Sequence, residues 1–364
     1  MRKETKAIHT PFQKRDAYGS LSFPVYNTAA YEFDTAHDMT EAFSGRVQEP
    51  DYSRVMNPTV THFENRVKAL SGAENVFAMN TGMAAILNTF MVFAEAGKTI
   101  VTSNHLFGNT FALITKTLAR LGVKAQVADL IFAEYITNPQ LEIVDIKKLS
   151  EVAHKHGLPL IVDTTAVPFT DIDARELGID VEVLSSTKYI SGGATSLGGL
   201  ILDFGTFKEV NQRIRFEYLF NLGTYMTPQV AYMQTLGLET LNVRYQKQAQ
   251  NALDLAKALQ QLPQVKRVNY PGLSLDKPFG AMLTIDLVSE QKCFDFLNSL
   301  RLIRRATNLF DNKSLAIHPY STIFVGFTPE EKKQMDIFDT TIRLSMGLED
   351  VNDLFEDIKQ ALDK

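Results

Sequence analysis

The segment Leu160-Ile161-Val162-Asp163-Thr164-Thr165 is an apolar run that ends on an acid and two hydroxyls. Its length suits one buried strand, and open α/β sheets bind their ligands at the carboxyl ends of such strands. A second segment, Ser185-Ser186-Thr187-Lys188-Tyr189, directly follows the apolar run at 181–184. Two strands that both end on reactive or polar side chains predict a ligand site within an α/β fold.

Short apolar runs and helical patterns alternate on both sides of these segments. Further strands are predicted at 99–101, 123–127, 131–136 and 200–202, and helices at 60–71, after Asn80-Thr81-Gly82, and from Ile146 to a stop at Gly157. Alternation of this kind is typical of an α/β domain with a mostly parallel sheet. The fold class is therefore predicted to be α/β.

The pattern divides the chain into three parts. Residues 1–56 are rich in aromatics and turn formers and predict an arm that contacts something else; residues 57–235 form the large α/β domain. The pattern of residues 236–364 predicts a smaller α+β domain. Its predicted elements are a long helix from 236 to Pro263, strands near 265–268 and 282–287, and a closing helix over 351–362.

One junction conflicts with this pattern. The runs at 123–130 and 131–136 both resemble buried strands, yet nothing separates them. Parallel strands need a crossover of about a dozen residues or more. We therefore expect a connecting segment to be missing at Leu130/Ile131.

Composition excludes several classes of partner. The chain has 364 residues, 45% hydrophobic and 22% charged, which suits a globular protein of two or three domains. Its net charge of −5 gives no attraction for nucleic acid or an anionic membrane. A single cysteine, Cys293, and a first segment without an apolar signal core predict a cytoplasmic protein. The histidines, including His154 and His156, form no metal-ligand spacing, so no metal is expected.

Three motifs carry chemistry, and each has a plain structural alternative. Lys188 could form a Schiff base while its hydroxyl neighbours hold a phosphate, or it could be a solvated loop lysine. Asp163 could pair with a protonated pyridine nitrogen, or it could cap a turn. Thr81-Gly82-Met83 could bind an anion at a helix start, or it could be an ordinary cap. Together they suit one ligand, pyridoxal 5'-phosphate.

With these motifs, the chain resembles the Cys/Met-metabolism, or cystathionine γ-synthase-like, family of pyridoxal-phosphate enzymes from about residue 17 to 362. The segments that carry the resemblance are Asp51-Tyr52-Ser53-Arg54, Asn57-Pro58-Thr59, Thr81-Gly82-Met83, Phe107-Gly108-Asn109-Thr110, Thr137-Asn138-Pro139, Val162-Asp163-Thr164-Thr165, Ser185-Ser186-Thr187-Lys188-Tyr189, Ile342-Arg343-Leu344-Ser345 and Gly347-Leu348-Glu349-Asp350. It implies the aspartate-aminotransferase type of fold, known as fold type I. Relative to this family, the chain also looks short near Phe207/Lys208 and around 273–276.

The resemblance implies a role for each matching residue. Lys188 would hold the cofactor covalently and shuttle protons, and Asp163 would pair with the pyridine nitrogen. The cofactor phosphate would be bound within the subunit by Gly82, Met83, Ser185 and Thr187, and from a neighbouring subunit by Tyr52 and Arg54. Asn138 would lie near the ring hydroxyl, and Arg343 would clamp the substrate carboxylate. Active sites would therefore be shared within a homodimer or homotetramer.

Three departures from the family bear on the reaction. Phe107 replaces the tyrosine that stacks on the cofactor in many members, and a phenyl ring cannot transfer a proton. Asn109 replaces a cysteine typical of methionine γ-lyases, and Asn308 replaces a serine near the substrate carboxylate.

The resemblance is strongest to the O-acylhomoserine sulfhydrylase branch, which implies γ-replacement on an acylated homoserine by sulfide or a thiol. Ser191-Gly192-Gly193-Ala194-Thr195, 305–310 and 314–319 carry this finer likeness. A methionine or cystathionine γ-lyase is the alternative. A cofactor-binding protein without turnover is a third possibility.

Overall fold

The computed structural model describes residues 1–10, 18–123 and 129–364. A six-stranded sheet forms the centre of the larger part, in the spatial order β1-β6-β5-β4-β3-β2. Its strands are β1 Asn75–Met79, β2 Ile100–Thr102, β3 Leu130–Glu134, β4 Leu160–Asp163, β5 Val181–Leu184 and β6 Gly199–Asp203.

Strands β2 to β5 run parallel, whereas β6 is antiparallel to both of its neighbours. The parallel strands are apolar on both faces because helices cover both sides of the sheet. Leu160 and Val162 of β4 belong to one core cluster, and Ile161 between them belongs to the other. The carboxyl ends of β3 and β4 lie side by side, with Glu134 opposite Asp163.

A second sheet of five strands has the order β7-β8-β11-β10-β9. Its strands are β7 Arg267–Asn269, β8 Met282–Asp286, β9 Arg304–Arg305, β10 Leu315–Ile317 and β11 Thr341–Ser345. Helices on this sheet share a separate apolar core that includes the chain's cysteine, Cys293. The division of the chain into an arm, a large domain and a small domain stays a prediction.

The α-helices surround the two sheets. They are α1 Lys3–His9, α2 Ala36–Phe43, α3 Pro58–Ser71, α4 Gly82–Phe93, α5 Gly108–Ala112, α6 Ile146–Lys155, α7 Lys208–Arg213, α8 Leu219–Leu222, α9 Pro228–Glu239, α10 Leu241–Leu259, α11 Pro271–Leu275, α12 Glu290–Ser299, α13 Pro329–Gln334 and α14 Val351–Leu362. Two π-helical segments, Leu113–Leu118 and Ile214–Tyr218, and a short 3-10 helix, Phe169–Asp171, complete the described helices. None of these described helices combines the length and apolar character that a membrane span requires.

Local sequence signals explain where the helices nearest the large sheet begin and end. Asn57 caps α3 by accepting a hydrogen bond from the Thr59 N–H, and Pro58 occupies the first helical turn. Gly72 ends α3 in the left-handed conformation, with φ of 72°. Thr81 caps α4 in the same way as Asn57 caps α3, with the Ala84 N–H as donor.

The predicted strand boundary at Leu130/Ile131 is wrong. These residues are consecutive members of β3, and the crossover from β2 precedes them, because residues 103–129 include α5 and a π-helical segment. The split arose because an apolar run by itself does not mark where a strand begins. Most of the strand predicted at 123–127 lies outside the described residues, and Val123 itself is not in a strand.

The remaining differences concern elements that no local pattern marks. β1 and the strands β9 to β11 were not predicted, because they are defined by pairing with strands that are mostly distant in the sequence. The helix predicted from 236 to Pro263 is instead two helices, α9 and α10, that meet at Thr240. The chain continues through Phe207/Lys208 as the start of α7, and 273–276 includes the end of α11.

Candidate active site

A cavity of about 640 Å³ lies at the carboxyl ends of β3, β4 and β5. Residues from both sheets line it, among them Asp163 from the large sheet and Arg343 from β11. Lys188, four residues beyond β5, also lines it. The structure thus brings together the three residue types that the sequence singled out at distant positions.

Lys188 is held within this cavity by an amide. Its Nζ donates to Oδ1 of Asn308 at 2.7 Å, and Nδ2 of Asn308 donates to Asp311 at 3.2 Å. Burial lowers the pKa of Lys188 to about 8; the positive charge of Arg343 lowers it too, whereas Asp311 raises it. A lysine with this pKa offers a useful fraction of unprotonated, nucleophilic amine near neutral pH.

Asp163 is the last residue of β4 and is partly exposed to the cavity. It accepts a hydrogen bond from the N–H of Thr165 at 2.8 Å. Burial raises the pKa of Asp163, and the hydrogen bonds from Thr165 oppose this rise. A cationic ring nitrogen placed beside this carboxyl would stabilise its ionised form.

The start of α4 would serve as an anion cradle at the same edge of the sheet. Thr81 accepts the hydrogen bonds of Ala84 and Ala85, which leaves the N–H groups of Gly82 and Met83 as donors of the first turn. A Cβ at Gly82 would lie 2.7 Å from that of Ser185, so only glycine allows this approach. Gly82, Met83, Ser185 and Thr187 all line the cavity.

The hydroxyl of Thr187 already has partners. It lies 3.1 Å from the carbonyl oxygen of Gly198 and accepts from the Gly198 N–H at 2.9 Å. These contacts close the loop that follows Lys188 and hold the lysine at the strand end. A phosphate would share this hydroxyl with Gly198.

Arg343 lies in the floor of the cavity and is 1% exposed. One of its NH2 groups, Nη1, donates to Oδ1 of Asn138 at 2.9 Å, and Nη2 donates to the Asn308 carbonyl oxygen at 3.4 Å. Its Nε is buried and has no partner among the described residues. Burial lowers the pKa of Arg343 to about 10, which still leaves the guanidinium charged at neutral pH. A bound carboxylate would satisfy this unpaired donor.

The three departures from the family occupy different positions around Lys188. Phe107 and Asn109 line the cavity on the side of α5. Asn308 lies in an adjoining cavity of about 390 Å³ that shares Thr187 and Lys188 with the first. The Asn308 side chain therefore contacts the lysine, whereas its carbonyl contacts Arg343.

Tyr52 and Arg54 do not line the cavity of their own chain. Arg54 donates to the carbonyl of Phe220, and its guanidinium lies 5.4 Å from the centre of the Tyr52 ring. Tyr52 is exposed at 44%. It remains a prediction that both residues contribute to the active site of a neighbouring chain.

Two site residues were missed from the sequence. Glu134 ends β3 and lines the cavity, and Asp311 lies behind Asn308. Glu134 did carry a signal, because it is an acid at the end of an apolar run, as Asp163 is. The wrong boundary at Leu130/Ile131 obscured it. Asp311 gave no signal, since its role depends on a contact through Asn308.

The residues of this cavity fit pyridoxal 5'-phosphate. Lys188 would receive its aldehyde, the helix start at Gly82 its phosphate, and Asp163 its ring nitrogen. The chemistry of this donor set is specific, because an amine of lowered pKa, a carboxyl and an anion cradle meet at one sheet edge.

Comparison with known proteins agrees with this fit. Residues 4–363 match the family described as Cys/Met metabolism PLP-dependent enzymes. An L-methionine gamma-lyase of Fusobacterium nucleatum is 34% identical over 390 residues, covering 99% of this chain and 98% of that protein. An O-succinylhomoserine sulfhydrylase of Pseudomonas aeruginosa is 33% identical over 378 residues, covering 96% and 93%.

A solved structure is similar over the entire chain. It is described as a candidate O-acetylhomoserine (thiol)-lyase of Campylobacter jejuni and contains N'-pyridoxyl-lysine-5'-monophosphate. The two chains are 30% identical, with a TM-score of 0.95 and 100% coverage of both.

The fold and the cavity, with these relatives, define a pyridoxal-phosphate-dependent enzyme of fold type I. The chain belongs to the Cys/Met metabolism family of these enzymes. The family resemblance, the fold class and the cofactor predicted from the sequence are confirmed. The particular reaction is a separate question, since relatives of similar identity include both sulfhydrylases and γ-lyases.

Proposed function

We propose that this enzyme catalyses γ-replacement on an O-acylhomoserine, in which sulfide or a thiol displaces the acyloxy group. The Cγ–O bond breaks and releases a carboxylate, and a Cγ–S bond forms. With O-acetylhomoserine and sulfide, the products are homocysteine and acetate. The cavity residues described above supply a site for each part of such a substrate.

Each group has a defined task in this proposal. Bound pyridoxal phosphate supplies an aldehyde that captures the substrate amine and a ring that accepts electrons from Cα. Arg343 binds the α-carboxylate with its unpaired Nε and orients the Cα–H bond. Lys188, once its amine is free, removes the Cα proton of the substrate and later returns a proton to a substrate carbon. Asn308 holds that amine in place. Asp163 keeps the ring nitrogen protonated.

One observation favours an ester substrate, namely the phenyl ring of Phe107 at the cavity wall. Many family members have a tyrosine here that helps the leaving group depart. Methionine must release a thiolate, which is a strong base and benefits from an acid. An acyloxy group leaves as a weakly basic carboxylate and needs no proton. A phenyl ring at this position, which lacks the phenolic hydroxyl, therefore suits γ-replacement on an ester better than elimination from a thioether.

The charges of the cavity favour a neutral acyl group such as acetyl. Among the described lining residues, Lys188 and Arg343 are the two cations, and both already have tasks. An anionic acyl group such as succinyl would then enter the cavity without a cation of its own among these residues. We therefore propose O-acetylhomoserine as the preferred ester.

The reaction is tested by product analysis of the cofactor-loaded enzyme. With O-acetylhomoserine, sulfide should yield homocysteine as the main product, and omission of sulfide should yield only slow formation of 2-oxobutyrate. O-succinylhomoserine should be used with a kcat/KM at least about tenfold lower. Release of 2-oxobutyrate and methanethiol from methionine at a comparable rate would contradict the proposal.

A matched variant isolates the role of the missing hydroxyl. Phe107→Tyr changes the ring by one oxygen and should raise elimination from methionine by about tenfold or more, because it restores a proton donor. Replacement on O-acetylhomoserine should change much less.

Methionine γ-lyase activity is the alternative, because several relatives that are 34% identical carry that name. Rapid elimination from methionine by the unaltered enzyme would favour it over replacement. Turnover of neither ester nor thioether, despite cofactor binding, would indicate a protein without catalysis.

A further inference from the structure

Glu134 is a buried acid in the active-site wall that the reaction described above does not use. It is 5% exposed, ends β3 and lines the cavity. In the parallel pairing of β3 with β4, it lies directly opposite Asp163. Two carboxyls therefore lie side by side at this edge of the sheet, where both line the cavity.

The contacts of Glu134 lead to two other site residues. Its Oε1 accepts a hydrogen bond of 2.5 Å from the backbone N–H of Phe107. The backbone N–H of Asn138 also acts on its carboxyl, and the Asn138 side chain accepts from Arg343 at 2.9 Å. The Glu134 side chain thus connects Phe107 at the cavity wall with Asn138, which contacts Arg343.

The contact with Phe107 occurs where the chain direction changes. Phe107 directly precedes α5, with extended-like dihedral angles of −54° and 131°, and no side chain caps that helix. Gly108, the next residue, is enclosed by Phe324 and Phe327 at 3.5 Å from the position of its missing Cβ. The Glu134 carboxyl therefore fixes the backbone from which the Phe107 ring projects.

Glu134 is poorly explained by packing alone. An apolar residue in the same place would avoid the cost of burying a carboxyl beside Asp163. Its hydrogen-bond donors in the described chain are backbone N–H groups of other site residues rather than a cationic side chain. Placement of those residues is what the carboxyl accomplishes.

We propose that Glu134 is a positioning residue for the cofactor, acting through the hydrogen bond that holds Phe107 and its ring against the cofactor face. This inference rests on the proposed function, because it assumes that the Phe107 ring stacks on pyridoxal phosphate. It concerns a residue that has no role in the capture of the aldehyde or the phosphate.

The hydrogen bond that Glu134 accepts from Phe107 determines which substitution preserves its role. Burial raises the pKa of Glu134 well above its usual range, and the charge of Asp163 raises it further. The Phe107 N–H donates to a side-chain oxygen of Glu134. Glutamine keeps such an oxygen acceptor, whereas leucine fills the space and leaves the N–H without a partner.

The test compares Glu134→Gln, Glu134→Leu, Phe107→Ala and the double variant of the last two. Cofactor affinity is measured by titrating each apoprotein with pyridoxal phosphate, and the visible circular dichroism of the bound cofactor reports its orientation. Steady-state kcat and KM for O-acetylhomoserine are measured separately. Glu182→Gln is the matched control, because Glu182 is a buried carboxyl on β5 that bonds Thr164 and does not line the cavity.

We expect Glu134→Leu to weaken cofactor binding about tenfold and to alter the visible dichroism, since a buried N–H loses its acceptor. Glu134→Gln and Glu182→Gln should stay within about threefold of the unaltered protein. In the Phe107→Ala background, Glu134→Leu should have an effect of less than about threefold, because the ring it positions is gone.

Equal effects of Glu134→Leu in both backgrounds would overturn the inference, as would a Glu134→Gln variant as impaired as Glu134→Leu. Apoprotein melting curves identify variants that fail to fold, and the glutamine variant still allows the comparison in that case. If unaltered enzyme binds the cofactor at Lys188 but Glu134→Leu changes neither affinity nor dichroism, only this inference fails. If unaltered enzyme binds no cofactor, the proposed function fails first.

Discussion

Individual residues at the carboxyl ends of three adjacent strands determine the chemistry available to this protein. Lys188 is reactive because burial and the neighbouring Arg343 both disfavour its charged form. Glu134 and Asp163 lie opposite each other at the ends of β3 and β4. Each residue is ordinary in type, and its properties derive from the apolar strands on which it is placed.

The reactivity of Lys188 with the cofactor should depend on pH with a midpoint near its pKa of about 8. Only the unprotonated amine attacks an aldehyde, so the rate should rise with pH and level off above the midpoint. Stopped-flow absorbance of the apoprotein mixed with pyridoxal phosphate measures this rate. Asp311→Asn should move the midpoint down, because the negative charge of Asp311 raises the Lys188 pKa. A midpoint near 10.5 would contradict the assigned environment.

Glu182 provides a prediction about stability. It is 1% exposed and accepts a hydrogen bond from the hydroxyl of Thr164. Burial raises the pKa of Glu182 from 4.5 to about 7. Folding therefore favours the protonated acid, so stability is retained below pH 4.5 and is lost as the pH rises through 7.

Glu182→Gln should remove this pH dependence while keeping an acceptor for Thr164. Above pH 7 the variant should exceed the unaltered protein in unfolding free energy by on the order of 3 kcal/mol, and the two should converge below about pH 5. Urea unfolding of both proteins across this range is the measurement. The exposed Glu151→Gln serves as control for the loss of one carboxyl. An unchanged difference at all pH values would contradict the prediction.

At the scale of elements, the site depends on the close approach of the α4 start to the end of β5. A Cβ on Gly82 would collide with Ser185 there, and Gly82 and Met83 of the first helical turn line the cavity. The strand ends supply the reactive side chains, and we expect the helix start to bind an anion.

Gly82→Ala should therefore weaken cofactor binding, because its Cβ would lie 2.7 Å from the Cβ of Ser185 and must push the two elements apart. We expect at least about a tenfold rise in the dissociation constant for pyridoxal phosphate. Gly72→Ala at the end of α3 is the control. Its Cβ would meet nothing within 4 Å, but φ is 72°. That variant should lose about 1 to 2 kcal/mol of stability with unchanged cofactor affinity. Equal cofactor affinities for the two variants would contradict binding of the cofactor phosphate at the start of α4.

Sequence patterns predicted the strong elements well and the short ones poorly. β5 was predicted at its observed limits, and α3 and β4 nearly so, because each has a clear period or an uninterrupted apolar run. β1 and the strands of the small sheet's far edge depend on pairing with distant strands, which no local pattern records.

Site residues were likewise predicted where a local pattern marked them and missed where a distant contact did. Lys188 and Asp163 were found at strand ends, whereas Asp311 was not, because it acts through Asn308.

On the scale of the whole molecule, the chain exposes several large apolar side chains. Leu21 is fully exposed, and Phe43 and Phe216 are exposed at 63% and 62%. Phe43 and Phe216 line a surface cavity of about 610 Å³ beside the arm. Large exposed apolar groups near one another typically mark an interface. Tyr52 and Arg54 lie in this arm region and not in their own chain's cavity.

If sites are shared between chains, two inactive variants should complement each other. Lys188→Ala retains the arm, and Arg54→Ala retains the lysine, so a mixed dimer contains one complete site. Random reassociation of equal amounts should restore about one quarter of the unaltered activity. Activity is measured after unfolding and refolding the mixture, with each variant alone as control. No recovery in a mixture that does form mixed dimers would contradict sharing.

The most direct test of the central claim is chemical labelling of Lys188. The loaded enzyme is reduced with borohydride, digested, and analysed by mass spectrometry for the pyridoxyl group. We predict that the label lies on the peptide that contains Lys188 and that it is absent from Lys188→Ala. A label on another lysine, or none on a protein that has been incubated with pyridoxal phosphate, would contradict the account.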